Sequence, residues 1–205
     1  MIHLEVPLAE EQVRELNVGD AVSLGGVIVT DRDAAHKYMV QTLIRPDVIP
    51  EAERSLYQEL RRLLAGGAIY HCGPVVRQTS DGRWEFVAAG PTTSIREEVY
   101  EPEVIAHFGL RGIIGKGGMG PGTLRACQEY GAVYLHAVGG AATLIADAVR
   151  EVLAVHKKEE FGAPEAFWVI RVEDFPVVVT MDSHSRSIHQ EVEAASQTAL
   201  QRLVS

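Results

Sequence analysis

The stretch Leu110-Arg-Gly-Ile-Ile-Gly-Lys-Gly-Gly-Met-Gly-Pro-Gly-Thr-Leu-Arg-Ala-Cys-Gln-Glu-Tyr-Gly-Ala-Val-Tyr-Leu-His-Ala137 decides the fold class. Gly112–Ile114 is a short apolar run of the kind that forms a buried strand. Gly115-Lys-Gly-Gly-Met-Gly120 is a glycine-framed loop. Thr123–Tyr130 reads as a helix stopped by Gly131, since glycine accepts the left-handed conformation that ends helices. Ala132–Ala137 is a second strand. Strand, loop, helix and strand in that order make an α/β unit.

The same alternation extends outward on both sides. Leu4–Leu8 reads as a strand, Glu10–Leu16 as a short helix or turn, and Ala21–Thr30 as a strand with Gly25-Gly26 inside it. A helix begins at Asp31-Arg-Asp-Ala-Ala-His-Lys37, its acids matching the positive helix N-terminus. Glu51–Ala65 is helical and closed by Gly66-Gly67, and Ala68–Cys72 is a strand. Val75–Thr79 and Trp84–Ala89 form a hairpin around Ser80-Asp-Gly82. Val99–Phe108 is helical, with Pro102 in its first turn, where proline is tolerated. Ala141–Lys157 carries an apolar stripe that predicts a helix. Ala166–Val172 and Val177–Thr180 are strands, and Ile188–Leu203 is a terminal helix. With no linker, repeat or low-complexity segment, residues 1–205 read as one α/β domain.

Composition narrows the function. The 205 residues are 46% hydrophobic and 23% charged, a globular mix that supports a sizeable core. The net charge of −9 argues against nucleic-acid binding, which needs a basic face. Any anion site must therefore concentrate cations locally. Two cysteines, Cys72 and Cys127, form no CxxC pair, and an iron–sulfur cluster takes about four ligands. The first residues, Met1-Ile-His-Leu-Glu-Val, carry no signal-peptide pattern, and no apolar run approaches the roughly 20 residues of a membrane span. A cytoplasmic protein is expected.

Two loops concentrate the chemistry. Gly90-Pro-Thr-Thr-Ser-Ile-Arg96 brings hydroxyls and an arginine after a strand. In a first helical turn Thr92 and Arg96 would share a face, and arginine's planar fork binds carboxylates in bidentate fashion. Helix capping by threonine is the plainer reading. In the second loop the glycines around Lys116 let the backbone approach a ligand and form an anion nest; a plain surface turn is the alternative. The GxxxxGK[ST] spacing of a phosphate loop is absent, and Thr123 lies too far on to serve it. Arg32 and His36, four apart at a strand's C-terminal end, would share a helix face where α/β ligands bind, or form a surface network with Asp31 and Asp33. His71 and His136 read as core residues. Asp182, His184 and His189 match no standard metal spacing.

Six segments occurring in order carry a family resemblance: Thr30-Asp-Arg-Asp-Ala-Ala-His-Lys37, Ile69-Tyr-His-Cys-Gly-Pro74, Gly90-Pro-Thr-Thr-Ser-Ile-Arg96, Gly115-Lys-Gly-Gly118, Val138-Gly-Gly-Ala-Ala142 and Val172-Glu-Asp-Phe-Pro176. Together they resemble the β-subunit of class I iron–sulfur fumarate hydratases and L(+)-tartrate dehydratases, the same unit as the C-terminal domain of single-chain class I fumarases. The resemblance implies a swivelling β/β/α domain. It implies a separate α-subunit that carries a [4Fe–4S] cluster with one iron open to substrate, in an α₂β₂ assembly. It implies that Arg32 and Arg96 bind substrate carboxylates, that Thr92 is the base, and that Lys116 is a further substrate contact beside it.

The implied reaction dehydrates a 2-hydroxy dicarboxylate, foremost (S)-malate to fumarate, with tartrate or a methylated fumarate as alternatives. The open iron would polarise the leaving hydroxyl. Loss of a proton beside a carboxylate builds negative charge that Arg32, Arg96 and Lys116 would offset. A threonine hydroxyl is a poor base without a helping neighbour. From another class, the glycine loops would make a stand-alone anion- or nucleotide-binding module.

Overall fold

The computed structural model describes residues 1–204. Its centre is a mixed sheet that closes on itself. Strands β1 (Ile2–Val6), β2 (Ala21–Asp31), β3 (Ala68–His71), β6 (Gly112–Gly115) and β7 (Val133–His136) run parallel in the order β1-β2-β3-β6-β7. The long strand β9 (Phe167–Met181) is antiparallel to both β7 and β2, so β2, β3, β6, β7 and β9 form a ring. Strand β8 (Val149–His156) pairs with the far half of β9. A hairpin of β4 (Val75–Gln78) and β5 (Trp84–Ala88) stands apart as a second sheet.

Strand residues alternate between two cores. Tyr70, Ile114, Leu135, Trp168 and Ile170 point into one cluster, with Leu24 and Ile28 of β2. Their neighbours Ile69, Ile113, Tyr134 and Phe167 point into the other. This period of two is what a strand imposes. The second cluster is roofed by α2 (Asp33–Tyr38), α3 (Arg54–Leu64), α4 (Glu101–Phe108) and α5 (Pro121–Tyr130), which contribute Ala35, Leu60, Val104, Ile105 and Leu124. Each fully buried aliphatic side chain is worth about 1.5–3 kcal/mol of transfer free energy. The α/β class read from the sequence is the one observed, with parallel strands covered by helices.

Two segments differ from the sequence reading. Ala141–Lys157 is not one helix. Only α6 (Ala142–Ala146) is helical, and β8 follows after a short turn. The apolar stripe Val149, Val152, Val155 has helical spacing, yet its register against β9 shifts between Val149 and Glu151 and again between Val152 and Ala154. Each shift inserts a residue and resets the alternation, so the inward positions fall three apart. Three β-branched valines then favour the strand.

The two strands expected at Ala166–Val172 and Val177–Thr180 are one 15-residue strand. Asp174 takes a φ of +53° at a register irregularity opposite Leu24–Gly26, which carries the strand through the Glu173-Asp174 turn signal. Pro176 is tolerated because it lies where the edge between β8 and β7 is unpaired. After α7 (Lys158–Phe161) and β9, the chain ends in α8 (Ile188–Val204), as expected from its pattern. Among the described residues, no helix is long and apolar enough to cross a membrane.

Candidate active site

The parallel strands β2, β3, β6 and β7 deliver their C-terminal ends to one side of the sheet, the usual ligand side of such sheets. Arg32 follows β2, the Gly90–Arg96 loop is tied to the end of β3, and Lys116 follows β6. The fold therefore brings together the four residues singled out in the sequence: Arg32, Thr92, Arg96 and Lys116.

Thr92 and Lys116 are fixed through their backbones. The Thr92 N–H donates to the carbonyl of His71 at 2.8 Å, the Lys116 N–H to the carbonyl of Thr92 at 3.1 Å, and the Ser94 N–H to the carbonyl of Lys116 at 3.0 Å. The two loops thus form a short parallel bridge, Thr93 opposite Lys116. Thr93 is the extended N-cap of the single 3-10 turn Ser94–Glu97, so Thr92 lies outside any helix. The helical face expected to carry Thr92 and Arg96 does not form: Thr92 pairs through its backbone with His71 and Lys116, and Arg96 lies in the 3-10 turn. The Thr92 Oγ1 is out of solvent contact and has no hydrogen-bond partner within the described chain. Buried hydroxyls are ordinarily satisfied; Thr30 and Ser183 share this state, and Thr92 is the one of the three that lies on the two bridged loops. The Lys116 side chain runs toward Gly139 in the Val138-Gly-Gly140 loop.

Each arginine is held by an acid. Arg32 lies over Gly73 and pairs with Glu165 at 3.2 Å, while its Nε has no partner. Arg96 pairs with Asp33 at 3.2 Å. Arg32 and His36 do not share a face. Arg32 is the extended N-cap of α2, and His36 turns into the interior.

That interior holds a chain of polar groups that sequence reasoning did not find. His36 Nδ1 lies 2.7 Å from Asp31 and its Nε2 2.7 Å from Glu101. His71 Nε2 lies 3.1 Å from the same Glu101 oxygen, and its Nδ1 is 2.8 Å from Ser94 Oγ. The Tyr134 hydroxyl donates to Ser94 at 2.8 Å. All six side chains are buried. Burial opposes the charge on His36, but the flanking Asp31 and Glu101 carboxylates overcome it and hold the imidazole well above its ordinary range. Burial likewise opposes ionisation of Glu101, and His36, then His71, pull its carboxyl down to about 2. Asp31, His36 and His71 have the proximity of a metal triad; both His71 nitrogens and His36 Nε2 are taken up by Ser94 and Glu101, while Asp31 and His36 Nδ1 meet as an ion pair without a hydrogen bond. His71, expected to be simple core packing, is a working hydrogen-bonding residue.

The two acids after Arg96 also have roles. Burial, then the facing Asp33, pushes the Glu97 carboxyl up to about 8. Glu98 fills the N-terminus of α5, accepting from the N–H groups of Gly120, Gly122 and Thr123 and from the Thr123 hydroxyl at 2.6–3.2 Å. The place where a phosphate loop would seat its anion is thereby taken by a side chain.

Two glycines of the second loop are dictated by close approach. A Cβ on Gly115 would lie 1.9 Å from Ser94 Oγ, and one on Gly118, at φ +75°, would lie 2.2 Å from the His189 ring. His189 also meets Thr180 Oγ1 at 3.0 Å. Asp182 accepts the N–H groups of Val18, His184 and Arg186, so it organises a turn. His136 is half-buried at the end of β7 beside His189, not a core residue.

The cysteines do not fit a cluster. Cys72 and Cys127 are buried in different cores, and burial pushes the Cys72 thiol up to about 12 and the Cys127 thiol higher. Ligating thiolates need the opposite environment.

A family model for the fumarase C-terminus matches residues 1–192. The chain belongs to the fumarase C-terminus family. A putative fumarate hydratase class I of Geobacillus stearothermophilus is 48% identical over 196 residues, 96% of this chain but 35% of the relative, so this chain spans about a third of that protein. The L(+)-tartrate dehydratase subunit beta of Escherichia coli K12 is 38% identical, covering 92% of this chain and 86% of the subunit. A putative L(+)-tartrate dehydratase subunit beta of Methanocaldococcus jannaschii is 38% identical over 96% of this chain and 95% of its own length. In this fumarase C-terminus chain the six sequence segments lie on the strands and loops described above, on α2 and at the start of α6.

Proposed function

We propose that this chain is the β-subunit of an iron–sulfur hydro-lyase that reversibly dehydrates a 2-hydroxy dicarboxylate, with (S)-malate and fumarate as the favoured pair. We further propose that it is a single swivelling β/β/α domain and works only with an α-subunit, in an α₂β₂ assembly. The observation that carries the reading is the buried, unpartnered Thr92 hydroxyl, set by backbone bonds between His71 and Lys116. The family membership gives it its chemical context.

In this reading Arg32 and Arg96 bind the two carboxylates, each contact a charge-assisted hydrogen bond worth about 1.5–3 kcal/mol. Thr92 takes the proton from the carbon beside one carboxylate, and the hydroxyl on the adjacent carbon leaves to form water. Lys116 lies across the bridge from the threonine loop, where its cation favours an oxyanion over a hydroxyl and offsets the charge that develops on the substrate. The [4Fe–4S] cluster belongs to the α-subunit, since the residues of this chain do not fit it.

The higher identity to the fumarate hydratase relative favours malate and fumarate. The likeness to tartrate dehydratase beta subunits keeps tartrate to oxaloacetate as the second reading. Hydration of a methylated fumarate is a third substrate arm. A stand-alone anion- or nucleotide-binding module is disfavoured by Glu98, which occupies the α5 N-terminus. The test is anaerobic reconstitution with the α-subunit, following malate, fumarate, mesaconate and both tartrates. Turnover of one dicarboxylate is expected. No turnover by a complex with an intact cluster, together with tight nucleotide binding by the chain alone, would overturn the reading.

A further inference from the structure

Beneath the two loops, the buried line Tyr134, Ser94, His71, Glu101, His36 and Asp31 takes no part in the chemistry above. Its hydrogen-bond directions can be read from the ends inward. His36 sits between two carboxylates: its Nε2 hydrogen-bonds Glu101, and its Nδ1 faces Asp31 as an ion pair. The Glu101 oxygen that His36 meets also faces His71 Nε2, so His71 is protonated there. Its Nδ1 lone pair is left to accept from the Ser94 hydroxyl, and Ser94 Oγ in turn accepts from Tyr134. A carboxylate that fixes an imidazole tautomer and ring orientation is a common supporting arrangement around reactive sites.

The line ends on the backbone of both loops. His71 is the residue whose carbonyl takes the Thr92 N–H. Ser94 is the residue whose N–H binds the Lys116 carbonyl, and its Oγ sits against the Cα of Gly115. Moving the His71 ring or the Ser94 hydroxyl therefore moves Thr92 and Lys116 relative to each other.

We propose that His71 and Ser94 are positioning residues, and that the hydrogen-bonded line from Tyr134 to Glu101 sets the placement of the Thr92 hydroxyl against Lys116. This rests on the reading of Thr92 as the reacting group. A displacement of about 1 Å at a reacting group can cost about 100-fold in rate, whereas carboxylate binding by the arginines is left in place.

The test has two arms. In the first, nitrogen-15 spectra of the full chain report the His71 tautomer, and amide exchange reports Thr92 and Lys116. Protonation at Nε2 is expected, kept in Glu101→Gln, whose amide oxygen still accepts, and lost in Glu101→Leu. Ser94→Ala is expected to speed exchange at both amides by about 10-fold or more. An Nδ1-protonated His71, or amides unmoved by Ser94→Ala, overturns the proposal.

In the second arm, Ser94→Ala in the complex with the α-subunit is expected to lower kcat about 10- to 100-fold with KM little changed. Adding Ser94→Ala to Glu101→Leu is expected to cost little more, because the two act through one line. A raised KM with kcat intact, or fully additive losses, overturns it. A wild-type complex that turns over no dicarboxylate counts against the functional reading instead, and the spectroscopic arm still decides positioning.

Discussion

The carbonyl of His71 accepts the N–H of Thr92 at 2.8 Å, while the carbonyl of Thr92 accepts the N–H of Lys116 at 3.1 Å. Thr92 is thus held by its main chain on both sides, and its side chain is left free of internal bonds. Removing the hydroxyl should leave the loop in place. Thr92→Ala is therefore expected to lower kcat by about 100-fold or more, with only a modest rise in KM. Thr92→Ser is expected to recover part of the loss. Steady-state kinetics of the reconstituted complex would decide it, and a change confined to KM would assign Thr92 to binding alone.

Arg32 and Arg96 differ in what holds them. Arg32 is largely covered and braced by Glu165, whereas Arg96 is more exposed and pairs with Asp33. Arginine-to-lysine changes keep the charge and lose the planar fork. Each is expected to lower kcat/KM by about 10- to 100-fold, which matches the loss of one charge-assisted bond. Arg32→Lys should be the more damaging, because its covered setting screens the interaction less. Equal, small effects at both positions would mean that neither side chain touches a carboxylate.

The alternation of strands and helices was legible because it is local: Gly131 ends a helix, and Ile113 and Ile114 mark a buried strand. The loops that carry Thr92, Arg96 and Lys116 were legible as loops because glycines frame them, and Arg32 was placed by the strand before it. What escaped the sequence depends on distant pairing. Val149, Val152 and Val155 have a helix-like period only because two register shifts against β9 reset the strand. The His71–Glu101 and His36–Glu101 contacts join residues 30 and 65 positions apart, with no spacing rule to reveal them. One signal did exist. His71 continues the apolar run Ala68-Ile-Tyr70, and a polar residue in a buried strand needs a partner.

Glu98 stabilises the N-terminus of α5 with four hydrogen bonds, including those to Gly120 and Thr123 at 2.7 and 2.6 Å. A carboxylate there also complements the helix dipole. Glu98→Ala is expected to cost about 1–2 kcal/mol of stability, the range for losing a strong N-cap. Denaturant unfolding would measure it. A loss below about 0.5 kcal/mol would show that water replaces the carboxylate without penalty.

Glu97 makes stability fall as the solution becomes alkaline. Unfolded, it titrates near the ordinary 4.5; folded, burial and the facing Asp33 carboxyl raise it to about 8. Between those values the folded state holds a proton that the unfolded state has lost, so stability decreases as pH rises through that window. The contribution is complete below pH 4.5 and is gone once pH passes about 8. His36, also raised, acts in the same direction, so the total slope belongs to more than one group. Glu97→Gln separates them, because a glutamine amide still donates to Asp33 and never ionises. Urea midpoints taken from about pH 5 to about pH 9 are expected to fall less steeply in Glu97→Gln than in the parent chain. An unchanged slope would place the proton on Asp33 instead, or in the Asp31–His36–Glu101 cluster alone.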